Sequence, residues 1–225
     1  MDQKQFDALI GAINSPNWAE VATLVALIVS LVAAIISLWY ARIQIIADHK
    51  RSQRKIAGDL CLKWSEFVAP ETVSVVRFIE KLSPQQIDSI VNLGVLEINI
   101  SLERHLIDML ELKFPNIKDE LGSMKVDNLY KIEGRIVQYI RYIAVRYLNM
   151  LESILMAWAG GVADRDAIFR EFCYVWDETK NRTIMDEFRK KLGVGAFPAI
   201  GLFVYEIKRK RDDDLAKSYK DMIIK

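Results

Sequence analysis

The sequence predicts an all-α protein: a single N-terminal transmembrane helix continuing into a cytoplasmic helical bundle. Three observations predict it. First, Val21 to Ala41 is an uncharged run of 21 residues in a chain of 225. Second, Leu129, Ile132, Ile136, Tyr139, Ile143, Tyr147, Met150, Ile154 and Trp158 recur every three or four residues, the spacing of one helix face. Third, cap residues, prolines and glycines punctuate the remainder at helical lengths. Neither repeats nor low-complexity linkers interrupt it.

The apolar run comes first. At helical rise it is about 31 Å long, close to the hydrocarbon thickness of a bilayer. Trp18 stands at one end and Trp39 with Tyr40 at the other, where amphipathic rings favour the interface. Asn17 followed by Glu20 reads as a capping box, so the helix is expected to start near Asn17. A cleavable signal would have a shorter apolar core and a more basic start, so a retained span is expected. Lys4 is the sole basic residue before the run, whereas Arg42, Lys50, Arg51, Arg54 and Lys55 follow it. By the positive-inside rule, the N-terminus lies outside and the C-terminal part lies in the cytoplasm. The expected location is the inner membrane. The basic cluster also suits anionic headgroups, though it serves equally as a topology signal alone.

One face of the run holds small residues. Ala19, Ala22, Ala26, Ser30, Ala33, Ser37 and Ala41 follow steps of three and four, with Thr23 and Ala34 alongside, within an arc of about 120°. Small residues let helices approach closely in lipid, so this face is a candidate seam for self-association or for a partner membrane protein. Chance segregation of Ala and Ser produces the same pattern, and no glycine strengthens it.

The stretch after Ala41 reads as the same helix, tolerating Gly58 at about 1 kcal/mol and stopping at Ala69-Pro70. Trp64 and Phe67 are expected to pack on the domain. Next comes a short helix starting at Pro70, then one opened by Ser83-Pro84 and ending at Phe114-Pro115, with Gly94 as a possible break. Ile98-Asn99-Ile100 is locally strand-like, but no partner strand is evident. A long helix from Leu129 closes at Gly160-Gly161. Asp164 caps a helix reaching Asn181, another covers Thr183 to Gly193, and the last begins near Pro198. The expected divisions are 1–16, a short extracytoplasmic segment; 17–68, the extended membrane helix; and 69–225, the cytoplasmic domain.

Composition excludes several classes. A net charge of +1 gives no case for nucleic acid. His49 and His105 are the sole histidines, so a His-rich metal site is not expected. Cys61 and Cys173 are far apart and form no CxxC pair; two free thiols in a reducing compartment are expected. No phosphate loop or G-x-S-x-G motif is present, and no cofactor is expected.

Two polar features remain. Glu97 and Asn99, and Asn149 and Glu152, sit in apolar segments, so a buried cluster joining two helices is a candidate ligand or ion site; the other readings are a structural hydrogen-bond network or plain solvent exposure. Leu192 to Tyr205 is uncharged for 14 residues, too short to span, and Lys208, Arg209, Lys210 and Arg211 follow it. That pairing suits a second lipid contact. It also suits a core helix whose basic end favours its dipole, neutralised by Asp212, Asp213 and Asp214.

The basic stretch after the span, Trp64 in "LCLKWSEF", and Leu148, Asn149 and Glu152 followed by the glycine turn and Asp164 together resemble a bacterial and phage family with a domain of unknown function. The resemblance covers most of residues 20–190. It implies one N-terminal span, a cytoplasmic helical domain and a bacterial or phage setting; defence, phage exclusion or envelope-stress signalling are settings that analogy alone suggests. It brings no catalytic residue or cofactor. The expected function is a membrane-anchored interaction or assembly protein. The alternatives are a tethered enzyme or ligand sensor, and a membrane-perturbing effector.

Overall fold

The computed structural model describes residues 2–5, 7, 18–111, 113–177, 182–183, 185–193 and 195–223. It is an all-α fold with a few short strands. The expected cap at Asn17 lies outside the described residues. The chain divides into two compact units, Met1–Arg51 and Ser52–Lys225.

The first helix, α1, runs from Trp18 to Phe67, with Glu20 in its first turn. Within the first unit its side chains are exposed on every face: Leu24, Leu27, Ile28, Leu31, Ile35 and Leu38 among them. Its last turns belong to the second unit, where Ala57 and Trp64 are buried. Pro70 ends it as expected, because Ala69 is held extended at ψ 156°.

The second unit is built around α6, Arg135–Ala159. Its Ile136, Val137, Ile140, Ala144, Leu148, Leu151, Ile154 and Leu155 are fully buried. Around it pack α2 (Pro70–Ile79), α3 (Pro84–Val91), α7 (Arg165–Phe172) and α9 (Pro198–Ile223). Two shorter helices, α4 (Glu103–Leu110) and α5 (Ile117–Met124), and then α8 (Asp186–Leu192) also belong to the second unit, and residues 3–5 and 7 of the first unit are helical too. Trp64 reaches Tyr147 of α6 at 5.2 Å and Phe172 of α7 at 5.3 Å between ring centroids. The expected docking of Trp64 on the domain is therefore present. Phe67 lies beside it, under the guanidinium of Arg146 at 4.8 Å.

The local stop and start signals are satisfied by direct bonds. The Ser83 hydroxyl accepts from the Gln86 N–H, and the Gln86 side chain accepts from the Ser83 N–H, a complete capping box. Asp164 accepts from the N–H groups of Asp166 and Ala167, both at 3.1 Å. Gly161 ends α6 at φ +66°, a conformation that costs other residues.

Three expectations are corrected. The expected helix from Ser83 to Phe114 is broken at Leu93-Gly94. It gives α3, then strand β1 (Leu96–Asn99), a 3₁₀ turn (Ile100–Leu102) and α4. The partner of the strand is β3, Leu129–Ile132, which takes the place of the expected first turn of the long helix. β1 and β3 pair antiparallel, Leu96 opposite Ile132 and Asn99 opposite Leu129, and β2 (Lys125–Val126) flanks β3. Leu96, Ile98, Tyr130 and Ile132 point into the core, the period-two alternation of half-buried strands. Gly134, at φ +63°, then lets the chain turn into α6. The third correction concerns the helix after Asp164. It stops at Phe172 and passes through a 3₁₀ turn (Cys173–Val175) into β4 (Trp176–Asp177), which pairs with β5 (Arg182–Thr183). Residues 178–181 lie outside the described set.

Candidate functional site

Two groups of residues are candidates: the apolar half of α1 and the polar groups of the second unit. In α1, Ala19, Ala22, Ala26, Ser30, Ala33, Ser37 and Ala41 are all exposed. The Thr23 hydroxyl donates to the Ala19 carbonyl at 2.8 Å, and Ser37 donates to Ala33 at 2.9 Å. These hydroxyls are satisfied inside their own helix, which is what a hydrocarbon environment demands. Trp39 and Tyr40 meet edge to face at 5.5 Å. The helix is long and apolar enough to cross a membrane, and none of its most apolar window is buried by protein.

The basic residues Arg42, Lys50, Arg51, Arg54 and Lys55 are exposed. Arg51 pairs with Asp48 at 3.4 Å in the first unit. In the second unit, Arg54 pairs with Asp164 at 3.5 Å. Beside it the Gln53 side chain donates to the Gly161 carbonyl at 2.7 Å. The residues by which the chain comes into this unit are thus tied to the α6–α7 turn. Asp164 is held below the usual carboxylate range, first by the Ala167 N–H, then by the Asp166 N–H and Arg54, against a smaller opposing effect of burial.

Among the described residues the four polar side chains do not gather into one cluster, and for Glu97, Asn99 and Asn149 the reading of plain solvent exposure holds. Glu97 and Asn99 are exposed on β1; Glu97 pairs across the sheet with Lys131 at 3.3 Å, and Asn99 caps the 3₁₀ turn through the Ser101 N–H. Asn149 is exposed on α6. Among the described residues, no hydrogen bond or ion pair joins the two strand residues to the two helix residues. The physical reason is the strand itself: alternation sends Glu97 and Asn99 to the solvent face, while Leu96 and Ile98 go inward.

Glu152 has a different task. Its two carboxylate oxygens accept from the N–H groups of Ala199 and Ile200, at 2.8 and 2.9 Å. These are orphan donors of the first turn of α9, which starts with Pro198 and follows Phe197, a side chain with no atom that could accept from them. Glu152 therefore caps a neighbouring helix across the core. Arg189 of α8 lies nearby with its side chain nearly buried, paired with Asp186 at 2.8 Å. Burial lowers its pKa, and Asp186 and Glu152 oppose that. Its Nε atom is buried without a hydrogen bond among the described residues. Sequence reading missed Arg189; the i, i+3 spacing from Asp186 is a common surface pattern and carried no sign of burial.

Lys208, Arg209, Lys210 and Arg211 are exposed on α9. Arg209 pairs with Glu206 at 2.6 Å, and the Lys210 ammonium lies 3.8 Å from the centre of the Phe169 ring. The uncharged segment before them is a core helix for part of its length: Ala199, Ile200, Phe203 and Val204 are buried, whereas Leu202 and Tyr205 are exposed. Side chains beyond Asp212 lie outside the described residues, including Asp213 and Asp214. Cys61 and Cys173 are free and half-buried; burial pushes the Cys61 thiol up, with Glu171 adding to it, which makes it a poor nucleophile. Among the described residues no group of acids, histidines and cysteines is placed to hold a metal ion. Comparison of the chain with protein-family models, curated proteins and solved structures finds no match.

Proposed function

We propose that this chain is a single-pass, membrane-anchored interaction protein whose helical domain lies on the cytoplasmic side. The observation that carries the reading is the bare apolar half of α1. From Trp18 to Ile46 it exposes large apolar side chains on all sides, while the second unit closes a complete core without them. Each such side chain left in water forgoes about 1.5–3 kcal/mol. A bilayer recovers that energy along the whole helix, and the hydroxyls bonded within the helix leave little polarity to oppose it. The excess of lysine and arginine after the span supports the orientation.

The interaction role rests on the small-residue face. Ala22, Ala26, Ser30 and Ala33 leave room for a second helix to approach closely, so packing rather than polar bonding would hold a self-associated pair. Ala26→Leu with Ser30→Leu fills that room. Cross-linking of the full chain in native membranes is expected to fall several-fold in the double variant. Unchanged cross-linking sinks the seam, and full release from membranes by alkaline carbonate sinks the anchor.

A further inference from the structure

The second unit has a groove of about 350 Å³ between α6, α7 and α9, lined by Trp158, Arg165, Asp166, Leu202, Arg209 and Lys210. That volume is at the small end of ligand sites. The order of contacts fixes which end of the unit it occupies. On α6, Tyr147 meets Trp64 of α1, and Gly161 just beyond α6 meets Gln53, so α1 and α6 run antiparallel here. Ala199 meets Glu152 and Phe203 meets Trp158 at 5.0 Å, so α9 runs parallel to α6. The groove therefore opens at the end where the chain comes into the unit, near Gln53. Ten residues separate Ala41 from Ser52.

The charges of the groove are asymmetric. Glu206 at its wall is neutralised by Arg209. Arg165 donates through Nε to the Trp158 carbonyl at 3.1 Å and through Nη2 to the Ala159 carbonyl at 2.6 Å. Those bonds cap the end of α6 and use two of its five donors, while no carboxylate pairs with it among the described residues. Lys210 makes its charge contact with the Phe169 ring rather than with a carboxylate, again among the described residues. Asp166 is the one remaining acid in the lining. Two cations held by carbonyls and a ring, without acidic partners, retain their attraction for an anion. Exposed Leu202 and Val162 at this end supply apolar surface next to that charge.

We infer that this groove receives the headgroup of an anionic phospholipid, with Arg165 and Lys210 holding the phosphate. The inference rests on the membrane reading above and gives the domain a second, lipid-selective contact. It also gives the basic run after Tyr205 a specific task, since Lys210 lines the groove and lies over the Phe169 ring.

The test uses the full chain in lipid nanodiscs, followed by hydrogen exchange at residues 159–166 and 202–210. Three conditions are compared: phosphatidylcholine, an equal mixture with phosphatidylglycerol, and phosphatidylcholine with inorganic phosphate in solution. Exchange is expected to slow about fivefold with phosphatidylglycerol alone. Lys210→Ala is expected to abolish that slowing, and Lys208→Ala, which removes the same charge outside the groove lining, is expected to keep it. Equal loss in both variants would mean diffuse adsorption and would overturn the groove. Slowing by inorganic phosphate alone would mean a soluble ligand and would overturn the lipid source, as would no slowing in any condition. Incorporation into phosphatidylcholine discs reads the anchor separately. A chain that inserts without lipid-dependent protection refutes this inference and leaves the anchor standing.

Discussion

Glu152 holds the first turn of α9 from a neighbouring helix, and both of its oxygens are engaged. Glu152→Ala strands two N–H groups and removes a counter-charge from the nearly buried Arg189. The expected loss is about 1–3 kcal/mol, with Glu152→Gln intermediate, measured by denaturant unfolding of the full chain in detergent. A variant as stable as the parent would return Glu152 to the list of ligand-site candidates. Asp164 is tested by pH. Its folded pKa is depressed, so its contribution is present above the ordinary aspartate pKa of about 3.9. That contribution fades as pH falls through the lower folded value. Asp164→Ala is expected to cost about 0.5–2 kcal/mol near neutrality, and the difference from the parent should shrink in acid. At this scale the caps were legible in sequence, because Ser83 with Gln86 and Asp164 bond within three residues of themselves. A structural hydrogen-bonding role for Glu152 is legible in sequence, but its partners in α9 are not, because they lie 47 and 48 residues away.

The elements divide by how local their signals are. α1 was readable from its uncharged run through the aromatic collar and basic residues to its proline stop. Its two halves face different surroundings, and substitution separates them. Trp64→Ala is expected to destabilise the second unit by about 3–5 kcal/mol, since Trp64 is 6% exposed against Tyr147 and Phe172. Trp39→Ala, at a side chain 59% exposed in the first unit, is expected to change unfolding of that domain by less than about 0.5 kcal/mol. Far-ultraviolet circular dichroism during denaturation reads both. β1 and β3 were not readable in the same way. Each is four residues long, and Leu129–Ile132 also satisfies the helical spacing of the segment that follows. Their pairing joins residues about 30 apart, so it is settled by which partner buries Leu96 and Ile98 rather than by local preference.

For the whole molecule, the prediction is orientation. Trypsin added to sealed inside-out vesicles is expected to cut after Arg51, Arg54 or Lys55 and to leave the Lys4 site intact. Right-side-out vesicles are expected to give the reverse. Cleavage of the domain from outside overturns the cytoplasmic placement. The sequence by itself determined the helical class, the apolar helix with its basic flank, and most helix ends. Those depend on composition and on bonds within one or two turns, which a single chain segment specifies. The tertiary structure alone decided that Glu152 caps α9, that Arg189 is buried, that β1 finds β3, and that Arg165 and Lys210 border one groove. Each brings together segments far apart in sequence, and side-chain burial in the shared core, not local propensity, selects the pairing.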